Sequence, residues 1–314
     1  MGYFTKNELI VMKVAVLIPT YNAGKVWETV LDKIALQDLS IEEKIILDSG
    51  STDETVQLAK AHGFRVLTID KLNFDHGYAR QLLFEASNCD LVIFLTQDAI
   101  PNGRSSFSRL VDSFNDPMVG LSYGRQLPHL GAKTLETHAR LFNYPSVSKV
   151  KQLEDKNILG IKTASCSNSF AAYRRAALID VGGFPYKTIF AEDVIVGGKM
   201  LLNKWKIAYV SEAQVYHSHD YTVKEEFKRY FDIGVFHSTN QWLINEFGSA
   251  RGEGLRYLKS EFKYVASNNL VAFPKMMLSI GAKFIGYRLG MIHRKLSANL
   301  RKSFSMHKSY WDKL

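Results

Sequence analysis

The polar residues able to bind or transfer groups fall in short clusters: Pro19-Thr20-Tyr21-Asn22, Asp48-Ser49-Gly50-Ser51-Thr52-Asp53, Ala79-Arg80, Thr96-Gln97-Asp98, Glu192-Asp193 and His217-Ser218-His219. Asp98 closes an apolar run, where a wholly buried carboxylate without partners is expensive, so it is expected to face a ligand. His217 and His219 are two residues apart and on a strand would share one face. A lone histidine is usually structural, but a pair is a better candidate for ligation. Glu192-Asp193 stands before Val194-Ile195-Val196 and reads as the first turn of a helix, where the dipole favours carboxylates. A carboxylate so placed can also accept a proton from a hydroxyl. Asp48, Ser49 and Asp53 suit a strand-to-helix turn capped by Ser51 or Thr52. Arg80 suits a solvated helix face, paired with Asp75 or Glu85 at little energetic worth.

Each cluster sits where an element ends. Residues 13–19 read as a buried strand followed by a helix over 26–37, and residues 44–48 as a second strand before a helix over 52–62. A third strand is predicted over 64–69 with a helix over 78–87, a fourth strand over 90–96 and a fifth over 119–123. Apolar runs separated by helices of about ten residues indicate a parallel sheet covered on both faces. In such sheets ligands sit outside the carboxyl ends of the strands. The stretch 126–220 is less regular, with a helix over 134–144, a Ser/Cys/Asn-rich segment at 163–170, a helix after Asp193 and a strand over 206–210. From Val223 onwards the pattern is helical, aromatic and basic, with no internal repeat or low-complexity linker.

Composition narrows the function classes. The chain has 314 residues, 46% hydrophobic and 23% charged, which suits a packed core and excludes disorder, collagen-like repeats and a disulfide scaffold. Its two cysteines, Cys89 and Cys166, lack zinc-ligand spacing and fit a reduced compartment. Lys plus Arg number 40 against 31 Asp plus Glu, a net charge of +9, which favours a phosphate-bearing partner. The cations are dispersed and no recognition-helix or RNP-type motif occurs, so a nucleic-acid partner is not expected. Residues 1–12 lack the features of a signal peptide and are expected to be a short extension. The apolar stretch 270–292 contains Pro274, Lys275, Lys283 and Arg288, whereas a spanning helix needs about 20 mostly apolar residues. A soluble or peripheral protein is expected. No Gly-x-x-x-x-Gly-Lys-Ser/Thr loop occurs, and no Gly-x-Gly-x-x-Gly follows the first strand, which argues against P-loop phosphoryl transfer and hydride transfer.

In order and spacing, these clusters together with Gly182-Gly183-Phe184 resemble the family 2 glycosyltransferases of GT-A fold, over about residues 13–220. The resemblance implies an α/β, Rossmann-like, mainly parallel sheet flanked by helices, and inverting transfer of a sugar from a nucleotide diphosphate. With the pattern along the chain it gives an expected partition into an N-terminal extension over 1–12, a catalytic domain over 13–222 and a helical, basic C-terminal region over 223–314. Pro19, Thr20, Tyr21, Asp48, Ser49, Arg80, Gln97 and Asp98 are then expected around the nucleotide-sugar. Asp48 or Ser49 would accept from a pyrimidine N3–H, Tyr21 would flank the ring, and the Arg80 guanidinium would hold phosphate or base oxygens. Asp98 and His217 would ligate Mn²⁺ or Mg²⁺, imidazole suiting Mn²⁺ better. Asp193 would be the catalytic base, with Glu192 and His219 toward acceptor or phosphate. The family usually has Asp-x-Asp where this chain has Thr96-Gln97-Asp98. One carboxylate plus two diphosphate oxygens can still hold the ion, because Mg²⁺ sites often use few protein ligands.

Thr96-Gln97-Asp98-Ala99-Ile100-Pro101, the acidic pair, His217-Ser218-His219 and the ending Ser305–Trp311 are similar to bacterial rhamnosyltransferases. That implies a dTDP-L-rhamnose donor and a cell-wall or O-antigen product. A UDP-hexose or UDP-N-acetylhexosamine donor is the alternative, since residue spacing does not separate the two pyrimidines. A nucleotidyltransferase would show a Gly-rich, Arg-containing loop after the first strand, which is absent. Met277, Ile280, Phe284, Tyr287 and Met291 make one helical stripe among Lys275, Lys283, Arg288, Arg294, Lys295, Arg301 and Lys302. Such a helix packs on the catalytic domain, on a second copy in a homo-oligomer, or on a membrane surface. The last would place a cytoplasmic protein at the inner face of the cell membrane, facing a lipid-linked saccharide acceptor.

Overall fold

The computed structural model describes residues 12–249 and 252–313. The expected extension over residues 1–12 lies outside the described residues except for Met12. The first half alternates β1 (Val14–Thr20), α1 (Val26–Ala35), β2 (Glu43–Asp48), α2 (Thr55–Ala61), β3 (Arg65–Thr68), α3 (His76–Glu85) and β4 (Leu91–Leu95). Then follow β5 (Ile100–Pro101), α4 (Ser106–Asp112), β6 (Val119–Leu127), α5 (Thr134–Asn143), β7 (Lys149–Lys151), α6 (Lys156–Leu159), β8 (Phe170–Arg174) and α7 (Arg175–Asp180). The chain continues through α8 (Glu192–Leu202), β9 (Lys206–Tyr216), α9 (Val223–Thr239), α10 (Gln241–Phe247), α11 (Glu253–Asn268), α12 (Phe273–Met291), α13 (Ala298–Phe304) and α14 (Lys308–Trp311).

One sheet joins all the described strands in the order β3-β2-β1-β4-β8-β6-β9-β5, with β7 beside β9. β3, β2, β1 and β4 are parallel, as expected of apolar strands returned by helices. Beyond β4 the sheet is mixed. β8 runs antiparallel to both β4 and β6, β6 and β9 are parallel, and β5 and β7 run against β9. The expected fifth strand over 119–123 extends to Leu127, and the strand expected over 206–210 extends to Tyr216. β8 is an element the sequence reading missed. Phe-Ala-Ala-Tyr-Arg is five residues long with two alanines, a weak strand signal.

Side chains alternate faces along the strands, as the two-residue period requires. Ala15, Leu17, Leu47 and Phe94 join one apolar layer with Leu83 of α3, Leu178 of α7, Val196 of α8 and Phe231 of α9. Val14, Val16, Ile18 and Ile46 join the other with Trp27, Leu31 and Ile34 of α1 and Phe107 of α4. The first layer passes without a break into Phe231, Val235 and Phe247 of the helical region. The change at residue 223 is therefore one of secondary structure, with the apolar core shared across it.

α9 and α12 cross with their backbones in contact. A Cβ at Gly290 would lie 2.1 Å from the Phe231 carbonyl oxygen, and one at Gly286 2.3 Å from that of Phe227. Only glycine permits that approach. Among the described residues no helix is long and apolar enough to cross a membrane.

Candidate active site

The β1–β2 register sets Thr20 beside Asp48, which brings the first two polar clusters together. Asp48 is buried. Its Oδ1 accepts from the Gly50 and Ser51 amides at 3.0 and 2.8 Å, and its Oδ2 from the Thr20 and Ser51 hydroxyls at 3.0 and 2.6 Å. These bonds occupy the lone-pair directions of a carboxylate, so Asp48 builds the turn and has little left for a base N–H. Buried Ser49 donates from its hydroxyl to the Thr20 carbonyl at 3.0 Å. Gln97 clamps the neighbouring main chain, its Oε1 accepting from Tyr21 N at 2.8 Å and its Nε2 donating to Tyr21 O at 3.1 Å. The half-buried Pro19 leads into this loop. Tyr21 is exposed, with the Lys71 ammonium 4.1 Å from its ring centroid.

His217 and His219 do not lie on a strand as expected, since β9 ends at Tyr216. The β6–β9 ladder nevertheless continues one residue through the His217 amide, which donates to Leu127 O at 2.9 Å. The two rings meet edge to face, centroids 4.8 Å apart, and both address Asp98. His217 Nε2 is 3.5 Å from Asp98 Oδ1 and His219 Nε2 is 3.9 Å from Asp98 Oδ2. Potential ligand atoms of the three residues lie within 4.8 Å of one another. His219 thus joins the carboxylate directly. Burial pushes the His217 imidazole down to about 3. Burial pushes the Asp98 carboxyl up, but His217, the Thr96 hydroxyl and His219 together outweigh it and leave the group below its ordinary range.

Behind His217 stands Gln126, 1% exposed. Arg140 Nη1 lies 2.8 Å and His217 Nδ1 2.9 Å from the same Gln126 atom, Oε1, while Nε2 donates to Ser167 Oγ at 2.8 Å. A guanidinium only donates, so the atom facing Arg140 must be the carbonyl oxygen. His217 must therefore carry its proton on Nδ1. The lone pair of Nε2 is left facing Asp98, the arrangement of a metal-ligating histidine.

The acidic pair sits at the start of α8, after Ala191 in the left-handed region at φ +58°, a conformation that costs a non-glycine residue energy and recurs at functional sites. Arg80 pairs with neither Asp75 nor Glu85. Its Nη1 lies 2.8 Å from Glu192 Oε1, with both side chains about 5% exposed. Glu192 also accepts from Asn168 Nδ2 at 2.9 Å. Burial pushes the Glu192 carboxyl up, but Arg80, His76 and the Asn168 bond outweigh it and hold it ionised. Asp193 differs. Its Oδ2 accepts from the Asn168 amide at 3.0 Å, and burial, reinforced by the Glu192 charge, pushes its carboxyl up to about 7. Two adjacent carboxyls are thereby driven apart, one a permanent anion and one poised near neutrality, the environment suited to a general base.

β8 brings the two halves together. Its register pairs Leu95 with Phe170, and the Thr96 amide donates to Ser169 O at 3.3 Å. The loop carrying Asp98 therefore abuts the loop whose Asn168 holds Asp193. Contacts run from Asp98 through His217, Gln126 and Ser167 to Asn168 and Asp193. The Gly182-Gly183-Phe184 turn lies beneath, its glycines at φ +81° and +72°, and seats Phe184 against Phe94 and Tyr173.

The family model described as glycosyl transferase family 2 matches residues 15–182. The chain belongs to glycosyltransferase family 2. It is 46% identical over 305 residues to the O-antigen chain rhamnosyltransferase RfbN of Salmonella typhimurium, covering 96% of this chain and 97% of that one. It is 43% identical over 300 residues to the O-antigen chain rhamnosyltransferase WbaN of Salmonella anatum, covering 95% of each. Among solved structures, a mannosyltransferase from Pyrobaculum calidifontis in complex with GDP-Man and Mn²⁺ matches with TM-score 0.55 at 19% identity, covering 96% of this chain and 85% of that one. Staphylococcus aureus TarS 1–349 matches with TM-score 0.54 at 17% identity, covering 96% and 88%. These structural likenesses bear on the fold.

Several residues of this glycosyltransferase's site carry no signal in sequence. Gln126 lies in a stretch with no recognisable pattern and Asn168 in the Ser/Cys/Asn-rich segment, to which the sequence assigned no role; each acts only through partners distant in the chain. Lys71, in a short 3₁₀ turn, reaches Tyr21 from 50 residues away. By contrast His307 lies in the ending Ser305–Trp311 already singled out; it stacks on Phe190 and meets His76 edge to face, and the His76 carbonyl accepts from Arg80 Nη1 at 3.3 Å. The anchor of this ending is Asp232, whose Oδ2 accepts from the Met306 and His307 amides at 2.9 and 3.4 Å.

Proposed function

We propose that this glycosyltransferase moves L-rhamnose, with inversion, from dTDP-β-L-rhamnose to a hydroxyl of a lipid-linked saccharide in bacterial cell-surface polysaccharide synthesis. The observation that carries the chemistry is the split acidic pair, with Asp193 pushed up to about 7 beside an ionised Glu192. The names of the two Salmonella relatives, matched over nearly their whole length, support the rhamnose donor and the product.

In this reading the donor lies across the strand ends, its base by Tyr21 and the turn at residues 48–53. Asp193 accepts the proton of the acceptor hydroxyl as that oxygen bonds to the anomeric carbon. The anomeric C–O bond breaks on the opposite side, and its electron pair leaves on the diphosphate of dTDP. Asp98, His217 and His219 form a donor set of one carboxylate and two imidazoles, which fits Mn²⁺ better than Mg²⁺. These three residues would hold a divalent cation, which would supply positive charge toward the departing diphosphate. The Arg80–Glu192 pair holds the start of α8 in place.

The test is a donor panel of dTDP-rhamnose, UDP-glucose, UDP-galactose and UDP-N-acetylglucosamine, scored by nucleotide released in the presence of Mn²⁺. Preference for dTDP-rhamnose by tenfold or more in kcat/KM is expected. Preference for a UDP-sugar would replace the donor assignment.

A further inference from the structure

The family reading leaves unused a cleft of about 760 Å³ between α5, α9, α11 and α12, within the size range of small-molecule sites. His219 lines one end of it, so the cleft opens on the Asp98 cluster. Leu135, Phe142, Leu258, Ile280 and Phe284 make it predominantly apolar, while Arg140 and Arg229 stand in its wall. The carboxylates lining it are already engaged: Glu226 with Lys283 at 3.3 Å, Asp220 with Lys133 at 2.6 Å and Lys275 at 2.8 Å, Glu253 with Lys162 and Arg256, and Glu136 with the Ser218 hydroxyl and, at 3.2 Å, the Lys133 backbone amide. Arg140 donates to the neutral Gln126, and Arg229 to the Tyr221 hydroxyl at 3.3 Å. Among the described residues neither guanidinium has a carboxylate partner within ion-pair distance, and two such guanidinium groups in the wall of an apolar cleft suit a phosphoryl anion.

A second observation concerns the width of the cleft. Gly281, in the middle of α12, and Gly254, at the start of α11, both line it. A Cβ at either would meet nothing within 4 Å, unlike Gly286 and Gly290 on the same helix. Mid-helix glycine costs about 1 kcal/mol against alanine, so packing does not explain Gly281, whereas an open cleft does. Outside the cleft, Met277, Leu278 and Ile285 of α12 are exposed, an apolar flank along which a chain can leave toward a bilayer.

We infer that this cleft is the acceptor site and that it takes an amphiphile, with a phosphoryl head against Arg140 and Arg229 and a hydrocarbon chain along α12. The inference rests on the reading that the acceptor is lipid-linked. Isothermal titration of the full chain with farnesyl diphosphate, inorganic diphosphate and dTDP tests it. Farnesyl diphosphate is expected to bind more than tenfold tighter than inorganic diphosphate, since its hydrocarbon chain adds apolar burial to the shared diphosphate contacts. Gly281→Phe, and independently Gly254→Phe on α11, should remove that gain and leave dTDP affinity unchanged, while Gly281→Ala keeps it. Equal affinity for the two diphosphates would overturn the inference. So would folded Phe variants that retain the gain, or competition of farnesyl diphosphate with dTDP, which would put the head in the donor site. The titration contains no sugar donor, so failure of the rhamnose assignment leaves its outcome readable.

Discussion

Gln126 and His217, 91 residues apart, are joined by a 2.9 Å hydrogen bond whose direction is set by a third residue. Arg140 fixes the amide orientation, and the amide fixes the imidazole tautomer. A buried glutamine thereby decides which nitrogen of His217 faces Asp98.

Removing that support should weaken cation binding. Gln126→Leu is expected to raise the Kd for Mn²⁺ by about 10- to 100-fold, the usual cost of losing an outer partner of a ligating histidine. Excess Mn²⁺ should restore turnover. Titration of Mn²⁺ followed by electron paramagnetic resonance measures the shift, and an unchanged Kd would remove the role assigned to Gln126.

Asp193 sets the pH dependence. As a base it must be deprotonated, so kcat/KM should rise with pH and level off above about 7. Asp193→Asn should lower kcat by about 10²- to 10⁴-fold while donor affinity is kept. Its folded-state value is raised, so ionisation opposes folding, and stability is lost as pH climbs from 3.8 through about 7. The Asn variant is therefore expected to melt above the wild type at pH 8, with the difference shrinking toward pH 4. Equal melting temperatures at pH 8 would contradict the raised value.

Glu192 tunes its neighbour. Its negative charge raises the Asp193 carboxyl, so Glu192→Gln should move the acidic limb of the rate profile to lower pH. Arg80→Met leaves Glu192 buried without its partner and should cost about 3–5 kcal/mol, read as a drop in the urea midpoint. An unmoved limb and an unmoved midpoint would show the pair to be idle.

Two glycines of α12 should respond with opposite signs. Gly290→Val forces a side chain into the Phe231 backbone, where even a Cβ lies 2.1 Å from the carbonyl oxygen, and should destabilise by at least about 1–3 kcal/mol. Gly281→Ala meets open space and should stabilise by about 1 kcal/mol through helix propensity. Thermal melts of the two variants compare them directly, and shifts of the same sign would contradict the packing described for this helix.

The first four strands were legible because a doubly covered parallel strand is written as a nearly unbroken apolar run, as in Val14–Ile18 and Leu91–Leu95. Local sequence thus sufficed to set Thr20, Asp48 and Asp98 at or just beyond strand ends, and Glu192-Asp193 at a helix start, because periodicity and dipole preference act over a few residues. Tertiary structure alone decided the pairing of Arg80 with Glu192, 112 residues away, and the meeting of His219 with Asp98. It also decided the direction of β8, whose alanines carry little strand preference but whose antiparallel course sets Asn168, and with it Asp193, against the Asp98 loop. Such contacts join segments with no shared local pattern. Their geometry is set by how the whole sheet packs, which no window of residues contains.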